Sequence, residues 1–67
     1  MVKISDEFIK LDSALKLFNI VASGGEAKMV ISEGMVKVNG AIENRRGKKL
    51  YPGDEVEFNG EIFKIGK

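Results

Sequence analysis

The chain has no cysteine, no histidine, no tryptophan and a single proline. Without cysteine there can be no disulfide, no thiolate metal ligand and no sulfur nucleophile. Without histidine the side chain most often used as a general base near neutral pH is missing. Enzymatic chemistry, a bound metal and a cofactor are therefore not expected. The staples on which very small folds often rely are also absent, so 67 residues must be held by one core near the lower limit of independent stability. No apolar run approaches the roughly 18 residues that would span a bilayer. The N-terminus carries no apolar stretch of the signal-peptide kind, so the expectation is a soluble cytoplasmic protein without membrane contact.

What is present is an ordinary globular balance, with 43% apolar residues, and a formal charge of +1 that conceals an asymmetry. From Gly34 to Lys49 five basic residues face Glu43 alone, whereas acidic residues outnumber basic ones on either side. A basic segment held between acidic ones is a directed surface, suited to one anionic partner more than to general adhesion.

The stretch Ser23 to Gly40 organises the rest. Ser23 followed three residues later by Glu26 has the form of a capping box, which starts a helix at Gly24. Ala27, Val30 and Ile31 repeat at the spacing of a buried helical stripe, and Gly34 stands where a left-handed C-terminal residue is wanted. Met35 is placed to fold back on Val30 or Ile31. The pattern then changes to period two, with Val36 and Val38 on one face and Lys37 and Asn39 on the other. Asn39-Gly40 is a strong hairpin signal.

Upstream, Val2 to Ile4 reads as a short edge strand that ends at Ser5-Asp6-Glu7. Phe8, Ile9 and Leu11 form an apolar lead-in, and Asp12 reads as the N-cap of a helix over residues 13–18 that Asn19 terminates in a left-handed conformation. Downstream, Ala41 to Glu43 form a return strand that enters the basic loop 44–49. Pro52-Gly53 fits a type II turn, Glu55 to Phe58 alternate as a strand, and Asn59-Gly60 turns the chain into Ile62 to Ile65. Phe8, Phe18, Phe58 and Phe63 all fall on apolar positions and read as core. The fold class is α+β, with two short packed helices on one side of a small, mostly antiparallel sheet.

Arg45, Arg46, Lys48 and Lys49 are the sharpest functional signal in the composition, because phosphate contacts come from clustered Lys and Arg. A solvated loop is the plainer explanation of the same residues. Gly24 and Gly25, in the first turn of the second helix, leave bare amides that a phosphate oxygen can approach. Lys28 points to solvent one turn later and, with Lys37, can share a surface with the basic loop. Tyr51 stands beside that loop, where its ring can stack on a base or lie over the sheet edge. The acidic pairs Asp6-Glu7 and Asp54-Glu55 have no partner base and read as solvated surface.

The residues Leu11-Asp12, Leu15, Asn19-Ile20, Ser23, Glu26-Ala27-Lys28, Ile31, Gly34, Val36 to Gly40 and Pro52-Gly53-Asp54 together resemble a known module. It is the RNA-binding domain of the ribosomal small-subunit protein S-four type, the alpha-L motif. The chain is similar in particular to short stand-alone bacterial members carrying Gly-Gly-x-Ala-Lys and Arg-Arg-Gly-Lys-Lys. The resemblance implies a single RNA-binding domain over residues 1–67, with the motif core at about 8–58. It assigns Lys10, Ser23, Lys28, Lys37 and Asn39 to an RNA surface, and it implies a non-catalytic, ribosome-associated protein that recognises structured or ribosomal RNA through phosphates and shape. Many members have arginine where Gly24 stands, so a backbone contact would take over from that side chain. A second resemblance, to small β-grasp sulfur carriers, rests on Val38-Asn39-Gly40 and on Pro52 to Glu57. Such carriers need a C-terminal Gly-Gly, and this sequence closes with Ile65-Gly66-Lys67.

Overall fold

A computed structural model describes residues 2–3 and 7–66. In chain order the elements are β1 (Val2–Lys3), β2 (Ile9–Lys10), α1 (Leu11–Leu17), α2 (Gly24–Ser32), β3 (Val36–Val38), β4 (Ala41–Ile42), β5 (Lys49–Leu50), β6 (Glu55–Phe58) and β7 (Glu61–Gly66). The two helices follow one another directly and cover one face of a five-stranded sheet ordered β1-β7-β6-β3-β4. All its pairings are antiparallel except that of β1 with β7. The edge strand expected at the N-terminus is present as Val2–Lys3; Ile4, Ser5 and Asp6 lie outside the described residues, as does Lys67.

Turn and cap residues act as their chemistry dictates. Asn39-Gly40 and Asn59-Gly60 all have positive φ, which is the type I′ geometry that matches strand twist. They set the registers Val38 opposite Ala41 and Phe58 opposite Glu61. Each helix ends in a Schellman motif. In α1 the Asn19 amide donates to Lys16 O at 3.1 Å and the Ile20 amide to Leu15 O at 3.0 Å. In α2 the Gly34 amide donates to Ile31 O and the Met35 amide to Val30 O, both at 3.1 Å. The expected apolar fold-back is weak at the second of these, since Met35 remains half exposed.

The helix starts differ in kind. Ser23 caps α2 as its sequence context predicts, accepting from the Glu26 amide at 3.2 Å. Glu26 reaches one residue further back than a standard box and takes the Ala22 amide at 2.7 Å. Asp12 is not the N-cap of α1. The helix begins at Leu11, and Asp12 Oδ1 accepts from the neighbouring Ser13 amide at 2.8 Å. The first amides of α1 are taken by backbone carbonyls of the basic loop: Leu11 N to Lys48 O at 2.9 Å and Asp12 N to Arg46 O at 3.1 Å. A tertiary cap has displaced the local one.

The core is aliphatic. Leu11, Ala14 and Leu15 from α1, Ala27 and Ile31 from α2, Val36, Val38 and Val56 from the sheet, and Leu50 and Ile65 form one buried cluster. This corrects the expectation that the phenylalanines build it. Phe18 and Phe58 are only partly buried against the cluster, and Phe18 stacks on Phe63 at its margin, with centroids 4.7 Å apart. Alanines at buried helix positions leave the large rings to seal the rim.

Gly34 has φ +75, and a Cβ there would meet Ile42 Cγ2 at an unforced 3.7 Å. The cost of a side chain at this position therefore lies in the backbone. Gly34→Val is expected to lower stability by about 1 kcal/mol or more, read as a fall in Tm of at least about 4 °C in a domain of this size. An unchanged melting curve would contradict the left-handed cap.

Candidate nucleic-acid interface

The basic loop is tied down. Beyond its two carbonyl contacts to α1, a turn closes from the Lys48 amide to Arg45 O at 3.2 Å. The chain then enters β5, which pairs antiparallel with β2 in a two-stranded ribbon, Ile9 opposite Leu50 and Lys10 opposite Lys49. The sequence shows β2 only as an apolar lead-in and gives no sign of its pairing with β5. Leu50 is fully buried and Ile9 half-buried, so that face of the ribbon packs inward and Lys10 and Lys49 share the outward face. Like charges placed directly opposite are destabilising by a few tenths of a kcal/mol up to roughly 1 kcal/mol. Among the described residues no carboxylate lies within 4.0 Å of either lysine.

The four cations of the loop are not equivalent. Arg45 is committed: its Nε donates to Glu43 Oε2 at 2.9 Å, its backbone amide to the same oxygen at 3.1 Å, and its Nη2 to Oε1 at 3.4 Å. The side-chain hydrogen bond from Arg45 is the main reason the Glu43 carboxyl is held below its usual range, against a smaller upward push from burial. The Lys49 ammonium lies 4.9 Å from the centroid of the Phe8 ring, a cation–π contact. Arg46 and Lys48 have no ion-pair partner among the described residues.

At the start of α2, Ser23 O and Oγ serve the Ala27 and Glu26 amides, and Glu26 serves Ala22. The Gly24 and Gly25 amides take none of these acceptors. A Cβ at Gly24 would meet nothing within 4 Å, and one at Gly25 only Ser23 Oγ at 4.0 Å. Packing inside the chain does not demand glycine at either position, and the turn is open to an approaching anion. Lys28 is exposed on the same helix. The basic loop docks at the start of α1 through its carbonyls, and the Gly24-Gly25 turn opens α2.

Lys37 and Asn39 are placed otherwise. Val36 and Val38 point into the core beneath the helices, so Lys37 stands on the far face of the sheet, in line with Ile42 on one side and Glu57 on the other. Asn39 commits its side chain to the fold: Oδ1 accepts from the Glu55 amide at 2.9 Å and Nδ2 donates to Asp54 Oδ1 at 3.2 Å. Asp54 is accordingly not plain solvated surface, since its Oδ2 also accepts from the Tyr51 amide at 2.8 Å. The far face of the sheet exposes Ile42 and Ile62, which the sequence did not single out.

The arrangement offers cations and bare amides on a rigid frame. Among the described residues no group of three or more potential ligands could hold a metal ion, and no helix is long and apolar enough to cross a membrane.

Comparison with known proteins places these features. A family model described as the S4 domain matches residues 2–66. The probable ribosome maturation protein RlbA of Bacillus subtilis (strain 168) is 49% identical over 59 residues, covering 88% of this chain and 83% of that protein. YbcJ of Escherichia coli (strain K12) is 40% identical over 57 residues, covering 85% of this chain and 81% of its own. The solution structure of YbcJ from E. coli, described as having an alpha-L motif involved in RNA binding, covers 98% of this chain and 85% of its own with a TM-score of 0.74 at 34% identity. The 30S ribosomal protein S4e of Thermoplasma acidophilum shares the fold, with a TM-score of 0.75 at 24% identity, over 90% of this chain and 32% of that one.

The Glu43–Arg45 pair gives the loop a pH dependence whose sign is fixed. A carboxyl whose pKa is depressed by folding contributes stability that is present above its unfolded pKa and is lost as pH falls through the folded value. Order around Arg45 is therefore expected to persist at neutral pH and to fade below the ordinary carboxylate range. In Glu43→Gln that acid limb should be gone. Following the Arg45 Nε–H resonance through an NMR pH titration of both proteins checks this, and identical profiles would refute it.

Proposed function

Because the chain belongs to the S4 domain family, we propose that it is a non-catalytic RNA-binding protein that grips folded RNA, ribosomal RNA foremost, by phosphates and shape. The observation that carries the reading is the mount of the basic loop. The carbonyls of Arg46 and Lys48 turn inward to cap α1, while their side chains and the facing pair Lys10 and Lys49 bring positive charge together without carboxylate partners. Such an arrangement costs stability in the free protein, and polyanion binding relieves that cost.

The names of the relatives support the same reading. One is a probable ribosome maturation protein and another has a motif described as involved in RNA binding. On this proposal the whole chain works as one RNA-binding unit in the cytoplasm, acting during ribosome maturation. The β-grasp alternative has no support in the family match.

The proposed surface has a primary patch and a secondary one. Lys10, Arg46, Lys48 and Lys49 form the first, with Arg45 contributing less because Glu43 neutralises it. Ser23, Gly24, Gly25 and Lys28 form the second, where backbone amides at a helix start receive a phosphate and Lys28 supports them. Lys37 and Asn39, on the far face and in the β3–β4 turn, stand outside both patches and contribute little direct contact.

A salt titration separates these parts. The double change Arg46→Ala and Lys48→Ala is expected to weaken binding to every structured RNA by a similar factor, and to reduce the slope of log affinity against log salt by roughly 0.7 to 0.9 for each phosphate no longer neutralised. Lys28→Glu should weaken binding more than Lys28→Ala, since it adds an anion where a phosphate is to lie. Equal affinity and slope for wild type and all three variants, each confirmed as folded by circular dichroism, would remove the proposed surface.

A further inference from the structure

The outward face of the β2–β5 ribbon carries more than charge. Side chains alternate along a strand, so Phe8 falls on the same side as Lys10, and Tyr51 on the same side as Lys49. The Phe8 and Tyr51 rings stand 6.1 Å apart with planes inclined at 50°, and the Lys49 ammonium covers Phe8. One face thus bears two aromatic rings beside two lysines. Tyr51, the one tyrosine of the chain, is 44% exposed. Its backbone is held on both sides: Asp54 Oδ2 accepts from its amide at 2.8 Å, and its carbonyl accepts from the Asp54 amide at 3.0 Å across the Pro52-Gly53 turn. Next to it opens a concavity of about 580 Å³ lined by Arg45, Gly47, Lys48, Lys49 and Tyr51. A Cβ added at Gly47 would meet nothing within 4 Å.

We propose that this concavity is a pocket for a single unpaired nucleotide of a folded RNA, with the base lying on the Tyr51 ring and its phosphates met by Lys48 and Lys49. The inference rests on the RNA-binding reading above and deepens it. The concavity is open to solvent, and its lining sets one aromatic side chain beside three cationic ones, the combination that binds unstacked bases. A paired base cannot lie on such a ring. In A-form RNA the bases are stacked and the major groove is deep and narrow, so a ring standing just beyond the end of a short ribbon meets only bulged, looped or terminal nucleotides. Extrusion is easiest where a base is already unpaired. Phosphate contacts along the loop would then give affinity for folded RNA in general, and Tyr51 would give preference for RNA with a nucleotide turned out.

The test uses two RNA hairpins that are identical except that one carries a single bulged 2-aminopurine, together with free adenosine monophosphate as a third ligand. Wild-type protein is expected to bind the bulged hairpin more tightly than the regular one and to alter the fluorescence of the bulged base on binding. Free nucleotide should bind far more weakly than either, because it lacks the flanking phosphates. Tyr51→Ala should lower affinity for the bulged hairpin by roughly five- to a hundred-fold, abolish the fluorescence change and leave the regular hairpin unaffected. Tyr51→Phe should preserve both signals. Equal wild-type affinity for the two hairpins with no fluorescence change overturns the pocket while leaving RNA binding intact. So does a Tyr51→Ala protein that keeps wild-type preference, which would leave Tyr51 as a ring lying over the sheet edge. Failure of wild type to bind either hairpin overturns the RNA-binding reading itself.

Discussion

Two backbone hydrogen bonds, from Leu11 to the Lys48 carbonyl and from Asp12 to the Arg46 carbonyl, join the start of α1 to a loop more than thirty residues away in the chain. The helix they cap has only seven residues, too few to be stable alone. Its first amides need acceptors, and no side chain at its N-cap supplies one. The basic loop does so with its main chain. The same two bonds deliver β5 alongside β2 and place Leu50 beside Leu11 in the core cluster. Removing them would free the loop, open the ribbon and expose the start of α1 together.

This arrangement explains how so small a fold can carry concentrated charge. The loop residues face inward by their carbonyls and outward by their cations, so the segment is structurally satisfied and electrostatically unsatisfied at once. Glu43 tempers the repulsion by taking Arg45, and Phe8 takes Lys49 on its ring. Lys10 and Lys49 nevertheless remain face to face. A domain under selection for stability alone would put an acid at one of those positions. The charge conflict leaves a concentrated positive field on that face of the ribbon. It sits on the ribbon that also holds the exposed tyrosine.

The sheet has a different role. Its inner face supplies most of the valines of the core, and its outer face is occupied by Lys37, Glu57, Ile42 and Ile62. Asn39 and Asp54 join the β3–β4 turn to the start of β6 and to the segment leading out of the ribbon. Of the residues that the resemblance gathers into one surface, Lys10 lies on the β2–β5 ribbon, Ser23 and Lys28 on α2, and Lys37 on the outer face of the sheet.

Most of the local structure was legible in the chain, because it depends on residues within a few positions of one another. Ser23 caps its helix, Asn19 and Gly34 end theirs, and the Asn-Gly pairs turn the hairpins for steric and hydrogen-bonding reasons that hold in any context. Period-two alternation likewise placed Val36 and Val38 inside and Lys37 outside. The basic character of residues 44–49 was equally plain. Three features were hidden: that Asp12 would yield its cap to a distant carbonyl, that Ile9–Lys10 would find Lys49–Leu50, and that the phenylalanines would seal the rim of an aliphatic core. Each depends on which distant segments exclude water together, a competition among burial, free amides and ring size across the whole chain. Sequence alone determined the turns, the C-terminal caps, the Ser23 cap and the sign of the surface; only the tertiary packing decided how α1 was capped, where that charge was mounted and that Tyr51 would stand beside it.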